Sequence, residues 1–170
     1  MRFSLYAWLA LPLLAACNPT FNWRDVRPSG TQLALLMPCK PDAAQKTVPM
    51  AGQPTALSLL SCDTGGVTFA IAVADVKNAA DVPRALAQWQ VATLGNIKAA
   101  PNPPTATIKL KGLPSGAVLV KAVGQRANGQ PVSSQAAYFV QGSQVFQAVM
   151  YADKISPEVA ETFFSGLKFE

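Results

Sequence analysis

Short apolar runs separated by turn-forming residues predict strands in the first half of the chain. Residues 31–38 are too few for a helix and end at a proline, which predicts a strand buried on both faces. Residues 55–61 and 67–76 predict two more strands, joined by a hairpin turn at residues 63–66 because paired glycines permit a positive φ. We expect these three strands to form one antiparallel meander, with residues 39–54 as a polar loop.

A helical pattern follows this meander. Asp81 offers an oxygen for an N-cap, and Pro83 suits the first turn of a helix. Apolar residues then recur along one broad stripe. They are Leu86, Trp89, Val91, Leu94 and Ile97. We predict that this stripe packs on the sheet and that Trp89 belongs to the core rather than forming a surface on which a cofactor stacks.

The second half of the chain predicts a strand at residues 105–111, where apolar and polar side chains alternate. Three more strands are predicted, at residues 118–125, 132–140 and 145–151. Asn128-Gly129 and Gln141-Gly142-Ser143 supply their turns, and Ser156-Pro157-Glu158 begins a closing helix that ends near Gly166. The prediction is an α+β protein: an antiparallel sheet of six to seven strands, in the order three strands, helix, four strands, helix, with the helices packed on the sheet.

The N-terminus has the pattern of an export signal. Arg2 precedes an apolar run from Phe3 to Leu14, which is shorter than the roughly 20 residues that a membrane-spanning helix needs. The following Leu14-Ala15-Ala16-Cys17 resembles the lipobox of bacterial lipoproteins. The resemblance implies that residues 1–16 are a signal peptide, removed on export, and that Cys17 is lipidated.

The alternative to a lipobox is an ordinary cleaved signal peptide, followed by an incidental cysteine at position 17.

If Cys17 is lipidated, its acyl chains would bind the membrane durably, at about 0.8 kcal/mol per buried CH₂ group. In enteric lipoproteins an aspartate after the cysteine signals retention in the inner membrane, whereas this chain has Asn18. The expected localisation is therefore the periplasmic face of the outer membrane.

Residues 17–30 are predicted to be a lipid-anchored tether, and residues 31–170 form a chain long enough for a single domain with its own core. The tether carries two aromatic and two basic residues, Phe21, Trp23, Arg24 and Arg27. They are possible membrane-proximal contacts, with the aromatic rings at the interface and the arginines on phosphates. Alternatively, the two aromatic rings pack under the domain as its first core contacts, which is the interpretation we favour.

The composition is that of a packed domain, with 50% hydrophobic and 14% charged residues. The formal net charge is +5, of which one unit belongs to Arg2. We interpret this modest basic excess as ordinary solvated lysines; the alternative, in an exported protein, is that it binds anionic lipid head groups or cell-wall polymers. The chain has no dense block of Lys and Arg, so no nucleic-acid partner is predicted.

The two cysteines after Cys17 are Cys39 and Cys62, which predict a disulfide in an oxidising compartment. Because each cysteine directly follows a predicted strand, at residues 31–38 and 55–61, we expect the bridge to clamp one end of an antiparallel ladder. A redox pair is disfavoured because the spacing is far wider than Cys-x-x-Cys. Two thiols without a histidine are too few ligands for zinc, so no metal or other cofactor is predicted.

The sequence also excludes several kinds of catalytic site. It contains no histidine, which rules out Ser-His-Asp and Cys-His arrangements, and it has no glycine-rich phosphate loop. Asp63-Thr64-Gly65 matches the core tripeptide of aspartic proteases, but those enzymes need two such carboxylates. One copy at a predicted hairpin favours a turn, and no enzymatic activity is predicted.

The order of elements, with Leu36-Met37-Pro38 near its start and the aromatic segment 163–169 at its close, resembles the PsbP-like superfamily of α/β/α sandwiches. The resemblance implies a central antiparallel sheet covered by helices and a non-enzymatic binding or assembly role. We therefore predict a membrane-anchored module that binds an envelope protein through a sheet edge or a helix face. The alternative is an anchored carrier that holds an apolar ligand between the sheet and the Trp89 helix, with an anchored hydrolase as a third hypothesis.

Overall fold

The computed structural model describes residues 20–170, which form ten strands, two α-helices and a short 3₁₀ turn. The strands are β1 Arg24–Val26, β2 Leu33–Met37, β3 Asp42–Met50, β4 Gln53–Thr64, β5 Val67–Asp75, β6 Thr105–Leu110, β7 Leu113–Gln125, β8 Pro131–Gln141, β9 Gln144–Ala152 and β10 Lys168–Phe169. The helices are α1 Val82–Asn96, preceded by the 3₁₀ turn Ala79–Asp81, and α2 Pro157–Ser165.

Seven of the strands form one antiparallel sheet in the order β3-β4-β5-β9-β8-β7-β6. The other three form a small antiparallel sheet in the order β1-β2-β10. The predicted α+β class and the mainly antiparallel sheet are confirmed. The predicted order of elements is incomplete, because β1, β3 and β10 were not expected as strands.

The predicted polar loop at residues 39–54 is wrong. Within it, β3 pairs with β4 from Asp42 opposite Ser61 to Met50 opposite Gln53. Strand β3 is an edge of the sheet, and most of its side chains are exposed. An edge strand of this kind is held by its ladder of backbone hydrogen bonds, so it need not show the apolar alternation that marks a half-buried strand.

The predicted meander has the wrong first member. Strand β2 pairs with β1 and β10 rather than with β4, and every residue of β2 except Leu36 is buried. The segment after the closing helix, for which no strand was predicted, is β10, whose Lys168 and Phe169 lie opposite Ala34 and Leu33. The apolar run therefore indicated the burial of β2 correctly but not its pairing partner.

The main core lies between the seven-stranded sheet and the layer formed by β2, β10 and α2. Phe69 of β5 packs edge-to-face on Phe163 of α2, with ring centroids 5.3 Å apart. Phe139 and Phe146 stack at 5.1 Å, and both meet the ring of Phe169. Edge-to-face and offset aromatic pairs stabilise a core beyond the area they bury. This core joins α2 and the small sheet to one face of the large sheet.

Helix α1 covers part of the opposite face of the sheet, where Val82 and Ala85 belong to a buried cluster with β4, β5 and β9. Trp89 packs edge-to-face against Tyr138, at 6.4 Å between ring centroids. The predicted apolar stripe is wrong at Val91, whose side chain is 71% exposed. Two residues correspond to about 200° around a helix with 3.6 residues per turn, so Val91 points away from the sheet when Trp89 points toward it.

Neither of the helices in residues 20–170 is long and apolar enough to cross a lipid bilayer.

Candidate functional site

Cys17, the predicted lipidation site, lies outside the described residues. The predicted disulfide between Cys39 and Cys62 is present, with 6.0 Å between the Cα atoms. It does not clamp a ladder, because Cys39 follows β2 of the small sheet and Cys62 lies in β4 of the large one. The bridge instead ties the two sheets together across the main core.

The two aromatic residues of the predicted tether are half-buried against the main core. Phe21 and Trp23 each meet Phe69 edge-to-face, with ring centroids 6.2 Å and 6.0 Å away. Asn22 donates its backbone N–H to the carbonyl oxygen of Pro38 at 2.8 Å. The segment before β1 is therefore held on the domain by aromatic packing and by a backbone hydrogen bond.

The two arginines of this segment make different contacts. Arg24 donates a side-chain N–H to the carbonyl oxygen of Asn22 at 3.4 Å. The guanidinium of Arg27 lies 2.5 Å from a carboxylate oxygen of Glu170. Hydrogen bonds from Lys168 and Arg27 lower the pKa of Glu170 to about 2. Arg27 thus fastens the N-terminal segment to the C-terminus.

A cavity of about 330 Å³ lies between α1 and the sheet. Strands β3, β4, β5 and β9 supply its floor and one wall, and α1 supplies the other wall. Its lining residues include Val48, Met50, Leu57, Leu59, Ala72, Trp89, Thr93, Gln147 and Tyr151. Of the lining residues that the structure describes, Lys46 is the one charged group. An apolar cavity with a few polar groups is typical of sites for small uncharged ligands.

A buried polar network borders this cavity. The Gln147 side chain, whose residue is 6% exposed, donates to the hydroxyl of Thr93 at 2.7 Å and to the hydroxyl of Tyr138 at 2.9 Å. Thr93 donates in turn to the carbonyl oxygen of Trp89 at 2.9 Å. Across residues 20–170, every fully buried side-chain nitrogen and oxygen has a hydrogen-bond partner. The network therefore avoids the cost of unpaired polar groups in the interior.

Burial keeps the two tyrosines near this cavity neutral. It raises the pKa of Tyr138, and it raises the pKa of Tyr151 to about 12. Both phenols are therefore hydrogen-bonding groups rather than bases at neutral pH. Thr93 and Gln147 were not predicted as site residues. Two signals were present: Thr93 lies four residues after Trp89, and Gln147 interrupts the apolar run of β9.

A second candidate site lies on the surface around residues 98–104. Two open concavities of about 570 and 630 Å³ share Ala99, Pro101, Asn102 and Pro103 as lining residues. Val91 borders the first concavity and Val123 the second, and these side chains are 71% and 70% exposed. We call these six residues the proline-loop surface. A group of exposed apolar residues around concave surface is typical of a protein interaction site.

The predicted hairpin turn is present, but only Gly65 of the tripeptide Asp63-Thr64-Gly65 lies in it, because Asp63 and Thr64 end β4 and pair with Thr68 and Val67. Gly65 and Gly66 have φ values of 59° and 74°, which suit a two-residue hairpin turn. The Asp63 carboxylate accepts a hydrogen bond from the Thr68 hydroxyl across the hairpin. Within the described part of the chain, no group of three or more Cys, Asp or Glu side chains is placed to hold a metal ion.

Comparisons of the chain with family models and with curated proteins gave no match. Among solved structures, the chain is similar to a Bacteroides thetaiotaomicron protein whose crystal structure was determined at 1.50 Å resolution. The sequences are 14% identical, the TM-score is 0.47, and the match covers 82% of this chain. It covers 45% of the Bacteroides chain, so this protein spans less than half the length of that neighbour.

Proposed function

We propose that this chain is a bacterial envelope lipoprotein, anchored through Cys17 to the periplasmic face of the outer membrane, and that its domain is a non-enzymatic module that binds an envelope protein. The proline-loop surface is the observation that carries the binding role. Val91 and Val123 are exposed on either side of residues 98–104, next to two concavities. Exposed valine side chains contribute no buried apolar surface to the stability of the domain. A partner that covers them would bury that surface, which favours binding.

The layering of the domain supports the same class of function. Helix α1 lies on one face of the seven-stranded sheet, and α2 lies with the small sheet on the other. This layout is compatible with the PsbP-like resemblance, in which a covered antiparallel sheet accompanies a binding or assembly role. The sequence has no histidine, and the cavity beside α1 is lined by neutral groups apart from Lys46. These features support a role without catalysis.

The experiment that tests this proposal is native mass spectrometry of the full lipoprotein extracted from its own membrane. A Cys17→Ala form is expected to lose the acyl mass and to leave the membrane. The intact protein is expected to carry a stoichiometric protein adduct that is lost in a Val91→Glu, Val123→Glu double variant, because burying a carboxylate in an apolar contact is costly. An Ala79→Glu, Thr47→Glu variant, also changed at two exposed positions, is the matched control. An adduct that survives equally in both variants refutes the role of the proline-loop surface.

The cavity between α1 and the sheet favours a second candidate function, an anchored carrier for a small apolar ligand. Its volume of about 330 Å³ and its apolar lining suit an uncharged molecule of modest size. In the same mass spectra, a carrier would retain a small apolar molecule instead of a protein. Ala92→Phe would fill the cavity from α1 and displace such a molecule, since Ala92 lines the cavity. Retention of the molecule by that variant would refute binding at this site.

A further inference from the structure

The described chain begins at one end of the seven-stranded sheet. The carbonyl oxygen of Thr20 accepts a hydrogen bond of 2.6 Å from the hydroxyl of Thr64, at the end of β4. The ring of Phe21 lies against the β4–β5 turn, where a Cβ added at Gly65 would be 2.8 Å from the ring. The N-terminal segment is therefore held at the β4–β5 hairpin.

A second hairpin projects from this same end of the sheet. Val67 lies opposite Ala152, and Ala152 lies opposite Ser133, so β4–β5 and β7–β8 turn at the same side. Helix α1 also ends there, because the carbonyl oxygen of Ile97 accepts a 2.6 Å hydrogen bond from the backbone of Gln125. We call residues 64–66, 97–98, 126–130 and 153–154 the hairpin end of the domain.

The opposite end, which we call the far end, lies roughly 30 Å away, the length of a strand of nine residues. It contains the 3₁₀ turn Ala79–Asp81 and the β8–β9 turn at residues 142–143, which are linked because Val76 donates its backbone N–H to the carbonyl oxygen of Ser143. The two ends are therefore far enough apart for probes placed on each to report different surroundings.

Both ends of the domain carry ion pairs and exposed lysines that take part in no ion pair among residues 20–170, and at the far end Lys111 in the β6–β7 turn is such a lysine. Near the far end, ion pairs engage Arg27, Lys77, Arg84 and Lys168 with Asp25, Asp75, Asp81 and Glu170. At the hairpin end, Arg126 pairs with Asp153 at 3.1 Å, and the adjoining Asp63 carboxylate accepts a hydrogen bond from Thr68. Lys98 and Lys154 are exposed there and take part in no ion pair among residues 20–170. Residues 64–66, 97–98, 126–130 and 153–154, which define the hairpin end, thus hold three basic groups and one acidic group.

The position of the proposed anchor determines which end approaches the membrane. Thr20 is three positions after Cys17, and even a fully extended chain spans at most about 3.6 Å per position, hence roughly 11 Å here. If the acyl chains on Cys17 lie in the bilayer, Thr20 lies within that distance of its surface. Because Thr20 is bonded to the β4–β5 hairpin, the hairpin end must lie close to the membrane as well.

We propose that the hairpin end is a membrane-contact surface, on which Lys98 and Lys154 bind the phosphate groups of anionic phospholipids, while the far end projects away from the bilayer. This inference rests on the proposed lipid anchor at Cys17 and adds an orientation and a lipid class to it. Exposed lysines within a Debye length of an anionic surface are attracted to it. The two lysines therefore resist tilting of the domain around its short tether.

The test uses the lipidated full chain in vesicles of phosphatidylethanolamine and phosphatidylglycerol that contain a lipid with a nitroxide on its head group. A fluorophore is attached through Ala127→Cys at the hairpin end or through Ala79→Cys at the far end, two matched changes at exposed alanines. We expect several-fold stronger quenching at position 127 than at position 79. Equal quenching, or stronger quenching at position 79, in vesicle-bound protein overturns the orientation.

Two further measurements separate the anchor from the orientation and test the lysines. If the chain with Cys17 intact carries no acyl mass and fails to float with the vesicles, the anchor is refuted, and the orientation with it. Lys98→Gln with Lys154→Gln is expected to reduce the quenching ratio between the two probe positions, as is replacement of phosphatidylglycerol by phosphatidylcholine. Lys46→Gln with Lys109→Gln, on the two edge strands, is the control and should leave the ratio unchanged. An unchanged ratio in the first pair of variants refutes the contact with anionic head groups.

Discussion

The buried network of Thr93, Gln147 and Tyr138 makes a quantitative prediction about stability. Replacing Gln147 by Leu removes the donor of two hydrogen bonds, of 2.7 Å and 2.9 Å, from the interface between α1 and the sheet. A buried hydrogen bond contributes about 1 kcal/mol net, so Gln147→Leu should lower the free energy of unfolding by about 2 kcal/mol. Tyr138→Phe leaves one amide hydrogen of Gln147 without its partner and should cost about 1–2 kcal/mol.

The double variant decides whether this interpretation is right. Since both single changes break the same Gln147–Tyr138 hydrogen bond, their effects should not add, and the double variant should be about 1 kcal/mol more stable than the sum of the two predicts. Urea unfolding of the released Cys17→Ala form measures this, because Trp89 packs against Tyr138 and its fluorescence reports the interface. Effects that add within about 0.5 kcal/mol would refute the shared network.

Three other predictions concern the disulfide, the β4–β5 hairpin and the carboxylate of Glu170. Replacing Cys39 and Cys62 by Ala, or reducing their bridge, should lower stability by about 3 kcal/mol, since it opens a loop between residues 23 apart; a melting temperature that does not respond to reductant would contradict this. Gly65→Ala should destabilise more than Gly129→Ala, because both have a positive φ but an added Cβ meets an aromatic ring only at Gly65; equal unfolding midpoints in urea would contradict the contact. Because the pKa of Glu170 is lowered, its carboxylate stabilises the fold above pH 4.5, and this contribution is lost as the pH falls toward about 2. NMR titration of the Glu170 carboxyl should show the low pKa. Glu170→Gln should abolish this part of the pH dependence of stability.

The local elements of the fold were largely predictable. The hairpin turn at Gly65-Gly66, the turn at residues 141–143 and both helices lie where the sequence placed them. These features depend on backbone preferences and on the period of apolar residues, which act over a few neighbouring positions. The disulfide was predictable from the number of cysteines and from the predicted oxidising compartment, without knowledge of which elements it joins.

The candidate sites were predictable only in part. A cavity beside the Trp89 helix was one of the expectations, but its polar network was not, because Thr93 and Gln147 meet across α1 and β9 and are 54 positions apart in the chain. The proline-loop surface was also missed. Val91 was assigned to the buried stripe, and nothing local to Val123 indicates that the end of β7 is left uncovered.

The sequence by itself determined the class of the domain, most of the strands and helices, and the cysteines that pair. Only the tertiary structure decided that β2 leaves the main sheet for a layer with β1 and β10, that an exposed segment becomes the edge strand β3, and that the chain begins beside the β4–β5 hairpin. The physical reason is the separation along the chain over which each kind of interaction acts. Local conformation depends on neighbouring residues, whereas strand partners and buried contacts depend on which distant surfaces best exclude water and pair their backbone groups.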